Sequence, residues 1–164
     1  MKSSQPIPPG FHTITPSLIV RNAPEAIEFY KKALGAEELV RMVGPDGKIG
    51  HAELKIGDSI IFVTDENPAM NSKSPQTLGG TASNLYLYVE DVDKSFQRAV
   101  DAGGQVTMPV ADMFWGDRFG TFVDPAGHSW GLSTHKEDLN PQEIEERAKT
   151  FYAEMAAQAQ KKSA

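Results

Sequence analysis

"HTITPSLIVRNAPEAIEFYKKALGA" (His12 to Ala36) is the stretch from which the rest of the chain can be read. Its first nine residues, to Val20, have the apolar and β-branched character of a strand. Asn22 then stands where a helix N-cap belongs. Ala26, Ile27, Phe29, Tyr30 and Leu34 fall on one side of the helix predicted over 22–36, and Gly35 supplies its stop. Three further strands are predicted: "EELVRMV" (37–43), "IGHAELKI" (49–56) and "SIIFVTD" (59–65), joined by the turns "GPDGK" (44–48) and Gly57-Asp58. The unit is βαβββ.

The unit occurs twice. A strand "SNLYLYVE" (83–90), a helix "DVDKSFQRAVDAGG" (91–104) capped by Asp91, a strand "QVTMPV" (105–110) and the hairpin "WGDRFGTFVDPAGHSWGLSTH" (115–135) follow the same order. A shift of 69 residues lays Val20-Arg21-Asn22 on Val89-Glu90-Asp91, Leu34-Gly35 on Gly103-Gly104, and Ile56-Gly57-Asp58 on Pro125-Ala126-Gly127. The sequence therefore predicts an α+β chain of two βαβββ modules, 12–65 and 82–135. Paired edge to edge, their sheets make one curved mixed sheet with a concave pocket and the helices outside. An extended Pro- and Ser-rich arm (1–11) precedes them, and a breaker-rich linker or loop (66–81) joins them. A C-terminal helix and tail (136–164) follow, with Asn140 as N-cap, Glu143 at the capping-box position, and Ile144, Ala148, Phe151, Met155 and Ala159 in one stripe. That helix covers the domain or packs on a second subunit.

Composition narrows the chemistry. The 164 residues are 40% hydrophobic, enough for a core, and contain no cysteine, which excludes disulfides, thiolate nucleophiles and cysteine-based zinc sites. A net charge of −6, with no run of Lys or Arg longer than two, offers no footprint for nucleic acid or an anionic membrane. The first residues lack a signal-peptide core, and no stretch is apolar for long enough to span a bilayer, so a cytoplasmic location is expected.

The repeat, with "ITPSLIV" and "AIEFYKKALGA", "GHAELKIGDSIIFVTDE" and "GDRFGTFVDPAGHSWGLSTHKEDL", resembles the vicinal oxygen chelate superfamily (glyoxalase I, bleomycin-binding proteins, ring-cleaving dioxygenases) and its PhnB-like, glyoxalase-related subgroup. The resemblance implies a divalent metal held by four ligands, at positions that fall here on Thr15, Phe62, Asn84 and Gly131. Phe and Gly offer no donor side chain, and Thr and Asn oxygens are poor transition-metal ligands. No cofactor is therefore expected, and glyoxalase I chemistry by the usual metal site is not. The superfamily's habit of completing pockets by pairing modules implies a homodimer.

Strand alternation sets Ser17 and Ile19, Ile60, Phe62 and Thr64, Asn84, Tyr86 and Tyr88, and Ser129 and Ser133 on the concave face. This aromatic and hydroxylic lining suits a small flat or amphipathic organic ligand, or else serves as ordinary core and interface. His51 and Glu53 share a strand face and, with His135, form an alternative: a relocated metal or acid/base site for a lyase, isomerase or dioxygenase. Read more plainly, they are an exposed polar strand face. Asp117 and Arg118 face opposite ways, so one of them enters the pocket while the other braces the sheet. Asp124-Pro125-Ala126-Gly127 is read as turn chemistry. A third reading makes the chain a structural or regulatory dimer module.

Overall fold

The computed structural model describes residues 5–162; the first four residues of the arm and the last two of the tail lie outside them. The first module comprises β1 (Ser17–Val20), α1 (Ala23–Leu34), β2 (Glu37–Val43), β3 (Ile49–Ile56) and β4 (Ser59–Asp65). The second comprises β5 (Asn84–Tyr88), α3 (Val92–Asp101), β6 (Gln105–Asp112), β7 (Asp117–Val123) and β8 (Ser129–His135). Between them lies a short helix α2 (Pro75–Leu78), and after them α4 (Pro141–Lys162). Both modules are βαβββ and the chain is α+β.

Each module closes a mixed four-stranded sheet, ordered β1-β4-β3-β2 and β5-β8-β7-β6. The first strand of each pairs in parallel with the last, and the other contacts are antiparallel. β1 is shorter than expected, starting at Ser17 rather than His12. Pro16 has no N–H to enter the ladder, and only its carbonyl takes part, accepting from the Phe62 N–H.

The repeat recurs in the hydrogen bonding. Asn22 and Asp91 cap α1 and α3 through the backbone N–H of Glu25 and Lys94. At the end of β4, Asp65 accepts from the Ala23 N–H at 2.8 Å. Sixty-nine positions on, Thr134 Oγ1 accepts from the Val92 N–H at 2.8 Å. Different side chains thus tie the last strand of each module to the first turn of its helix.

Within one chain the two sheets remain separate and do not merge edge to edge. Their inner faces are joined by the helices. α1 is buried along a broad face, from Ala23 through Ala26, Ile27, Phe29, Tyr30 and Ala33 to Leu34, because it covers its own sheet and also lies against α3 and the second module. Phe29 meets Phe122, and Tyr30 meets Trp130 at 5.5 Å between ring centroids. α3 buries a narrower face, Val92, Phe96 and Ala99. The opposite faces of both sheets, which carry the candidate residues other than Arg118, point away from this shared core.

Asp124 fastens the two modules. Its Oδ1 accepts from the His128 N–H at 2.9 Å, the turn contact expected of an Asp there. Its Oδ2 accepts from the Tyr30 hydroxyl and the Trp130 indole N–H, each at 2.8 Å. Burial, and then the Asp124 charge, push the Tyr30 phenol well above its ordinary range. His128 Nε2 reaches the Ile19 carbonyl at 3.0 Å, and Arg98 Nε donates to the Ala33 carbonyl at 2.8 Å.

The segment from 66 to 81 carries a 3₁₀ turn (Pro68–Met70) as well as α2. Hydrogen bonds from Ser74 and Thr77 hold the Glu66 carboxyl down at about 2. Gln76 then donates to the Pro125 carbonyl at 2.8 Å, latching the segment onto the second module. In α4 the capping box forms as expected, with Asn140 Oδ1 accepting from the Glu143 N–H and Glu143 accepting from the Asn140 N–H. Phe151 of its stripe rests on Phe114, Ile144 and Ala148 are half-buried, and Met155 stays exposed. The Ala159 side chain lies outside the described ones. No helix among the described residues is long and apolar enough to cross a membrane.

Replacing Asp124 by Ala strands two buried side-chain donors and the half-buried His128 N–H, and unfolding by denaturant is expected to show a loss of about 3 kcal/mol or more. Tyr30→Phe removes one of the three and should cost about 1 kcal/mol. Equal losses for the two variants would mean that the carboxylate does not organise the junction.

Candidate functional site

The outer face of the second sheet converges on Asp117, the first residue of β7, which is only 3% exposed. Its Oδ2 accepts from Tyr88 Oη (3.0 Å), Ser133 Oγ (3.1 Å), Trp115 Nε1 (3.2 Å) and Tyr86 Oη (3.3 Å). Its Oδ1 takes His135 Nδ1 at 2.7 Å. Register explains the gathering, because Asp117 is opposite His135, Phe119 is opposite Ser133, and Ser133 is beside Tyr88. Four donors on one oxygen exceed its lone pairs, so the outer hydroxyls can turn to another acceptor without leaving the carboxylate bare.

Burial pushes the Asp117 carboxyl up, but donation from His135, Tyr88, Ser133 and Trp115 overrides it and leaves the group below the usual carboxylate range. The Tyr88 phenol, bonded to that carboxylate, is pushed up to about 12. Asp138 and then Asp117 raise the His135 imidazole above its ordinary value.

Tyr86 stacks on Phe119 with centroids 5.0 Å apart and planes 10° from parallel, and lies 5.2 Å from Tyr88. The two tyrosines also line an open cleft of about 1140 Å³ between the modules, with Asn84, Ile14, Pro16 and Ile61 among its other walls.

Of the adjacent pair, Asp117 enters this face and Arg118 braces the other. Arg118 reaches Asp93 on α3 through Nε (2.8 Å) and Nη2 (2.7 Å), and Asp112 through Nη1 (3.1 Å), which raises its already high pKa further. It is a strut between sheet and helix, committed away from the pocket.

His51 and Glu53 do share a face of the first sheet, with His51 Nε2 3.2 Å from Glu53 Oε1 and the imidazole edge-on to Phe62 at 4.7 Å. The arm covers part of this face: Phe11 packs on Phe62, and Gly10 sits over Ile60. Ser17 is beside Phe62 in the β1–β4 register. His51, Glu53 and His135 are not brought together, and no group of three His, Asp or Glu suited to a metal occurs among the described residues.

The four implied metal positions do not fit an ion. Thr15 precedes β1. Phe62 is a ring in an aromatic contact, and Asn84 Oδ1 accepts from Ser129 Oγ at 2.9 Å. At Gly131 even a Cβ would fall 2.6 Å from Phe119 Cε2. The Phe119 ring takes the space a ligand side chain needs.

Residues 10–132 match the model of the Glyoxalase/Bleomycin resistance protein/Dioxygenase superfamily. The chain belongs to that superfamily. The uncharacterized protein Rv0887c of Mycobacterium tuberculosis is 44% identical over 135 residues, covering 80% of this chain and 79% of that protein. TioX of a Micromonospora species is 27% identical with a TM-score of 0.62, covering 76% of this chain and 98% of TioX. The PhnB protein of Bacillus cereus, at 22% identity and a TM-score of 0.59 over 75% of this chain and 99% of its own, shares the fold.

Trp115, Phe119 and Asp138 were not among the sequence candidates. Phe119 was within reach, lying two residues from Asp117 and so on its face. Trp115 and Asp138 come from connecting segments, where no periodicity predicts a direction.

Proton NMR should place the His135 pKa above about 6.5, and Asp117→Asn should lower it. Because folding raises this pKa, its contribution to stability is complete below about pH 6.5 and fades as the pH climbs through the folded value.

Proposed function

We propose that this chain is a metal-independent small-molecule-binding member of the superfamily, its ligand seated on the second sheet against Asn84, Tyr86 and Tyr88, while Ser133, which is fully buried, only supports Asp117 from beneath. The observation that carries this reading is Phe119. Its ring closes the Gly131 position to a metal ligand and stacks on Tyr86, turning a coordination site into an apolar platform edged by hydroxyls. Such a surface selects flat or amphipathic organic molecules.

The same reading includes a homodimer. Among the described residues no strand pairs with the outer side of β1 or β5, and Tyr86 and Tyr88 of β5 are 42% and 66% exposed. A second copy pairing along these edges shields the strands and closes the open face over a ligand.

An enzyme reading stays attached to one observation, the 3.2 Å contact of His51 with Glu53, which can act as an acid/base pair. It predicts turnover abolished by His51→Ala, whereas the binding reading predicts that this variant leaves ligand affinity unchanged.

The test is a thermal-shift screen of aromatic and amphipathic compounds, with hits repeated after chelation. A hit should survive chelation, and Tyr86→Ala or Tyr88→Ala should weaken it by about fivefold to tenfold. Stoichiometric metal in the purified protein, with binding lost on chelation, would overturn the reading. Sedimentation should give twice the mass of the chain.

A further inference from the structure

We infer that the ligand carries a carboxylate on its aromatic body, and that His135 receives this group in the place Asp138 now holds. The inference rests on the binding reading above and names the chemistry of its ligand.

His135 ends β8 directly opposite Asp117. The 2.7 Å contact at Nδ1 fixes the ring against a buried carboxylate, which sets its orientation and favours the imidazolium. Nε2 therefore points away from Asp117, and its N–H is the outward donor of the network.

That donor is already answered by an anion. Asp138 Oδ1 lies 3.0 Å from Nε2, although the Asp138 side chain is otherwise fully exposed, at 103% of its reference area. A carboxylate held in water by one ion pair contributes little and is readily exchanged for another. Asp138 thus stands in, from within the chain, for an external carboxylate.

The other charges near His135 permit the exchange. Asp117 is negative, but it lies behind the ring and is answered by five donors. Glu137, next along the loop, is paired with Arg147 of α4 at 2.8 Å. Lys136, the next residue, acts on Asp93 of α3 on the other side of the sheet and does not compete for the imidazole. Tyr86 and Tyr88 direct their hydroxyls to Asp117, so their rings form the wall adjoining the histidine. A carboxylate on His135 has its attached ring laid along this wall, whereas a neutral head group there forgoes the ion pair with the imidazolium.

The test compares benzoate with its neutral isostere benzamide by NMR titration of the wild type, Asp138→Asn and His135→Gln. Benzoate is expected to bind about tenfold tighter than benzamide, and this preference should shrink to near parity in His135→Gln. Asp138→Asn, which removes the internal competitor at an exposed site where folding is not at stake, should tighten benzoate by about threefold. Benzoate affinity should fall by about tenfold between about pH 6 and about pH 9 as His135 loses its proton, while benzamide affinity stays flat. Equal binding of the two probes, or no gain in Asp138→Asn, overturns the carboxylate inference and leaves the binding reading standing. Binding of neither probe also overturns this inference, and the compound screen then decides the broader reading separately.

Discussion

The whole arrangement depends on one buried carboxylate. Asp124 uses one oxygen to shape its own turn and the other to hold Tyr30 of the first module and Trp130 of the second. Both rings are fully buried, so their polar atoms need an acceptor inside the core, and a single charged oxygen serves both. This junction lets α1 bury two flanks at once, one on its own sheet and one on its neighbour. Once the helices are committed to the shared interior, the opposite faces of both sheets are left to water, a ligand or a second copy, except where the arm lays Phe11 on Phe62.

Asp117 is built on a similar principle with a different outcome. It is as buried as Asp124 and also collects several donors, yet its donors come from the outer face, and three of them, Tyr86, Tyr88 and His135, remain substantially exposed. Asp124 is closed over by core, whereas Asp117 anchors groups that something else can contact. The residue after it, Arg118, shows how strictly alternation divides labour: one position along the strand, the side chain serves the helix layer and takes no part in the site. Phe119, one further on, returns to the outer face and occupies the space that a metal ligand at 131 needs.

Much of this was legible beforehand. The 69-residue repeat, the N-caps at Asn22, Asp91 and Asn140, and the opposed directions of Asp117 and Arg118 all follow from local rules of periodicity and capping, which act within a few residues. The lack of donors at Phe62 and Gly131 needed only the identity of those residues. Other features were not legible. The linker from 66 to 81 has no periodicity, and its order comes from Glu66 gathering Ser74 and Thr77 and from Gln76 reaching Pro125. The arm was read as extended, but nothing local indicates that Phe11 covers Phe62.

The sequence by itself determined the two modules, the class of fold, the absence of cysteine chemistry and the unsuitability of the usual metal positions, because each of these is set by residue type and short-range spacing. Only the tertiary structure decided that the sheets stay separate within one chain, that a turn aspartate doubles as the clasp between modules, and that Asp117 rather than the His51–Glu53 pair organises the richest polar cluster. These depend on which side chains meet across 94 residues, as Tyr30 and Asp124 do, or across 31, as Tyr86 and Asp117 do. Packing selects such encounters through the burial of whole faces, and no local pattern in the chain records them.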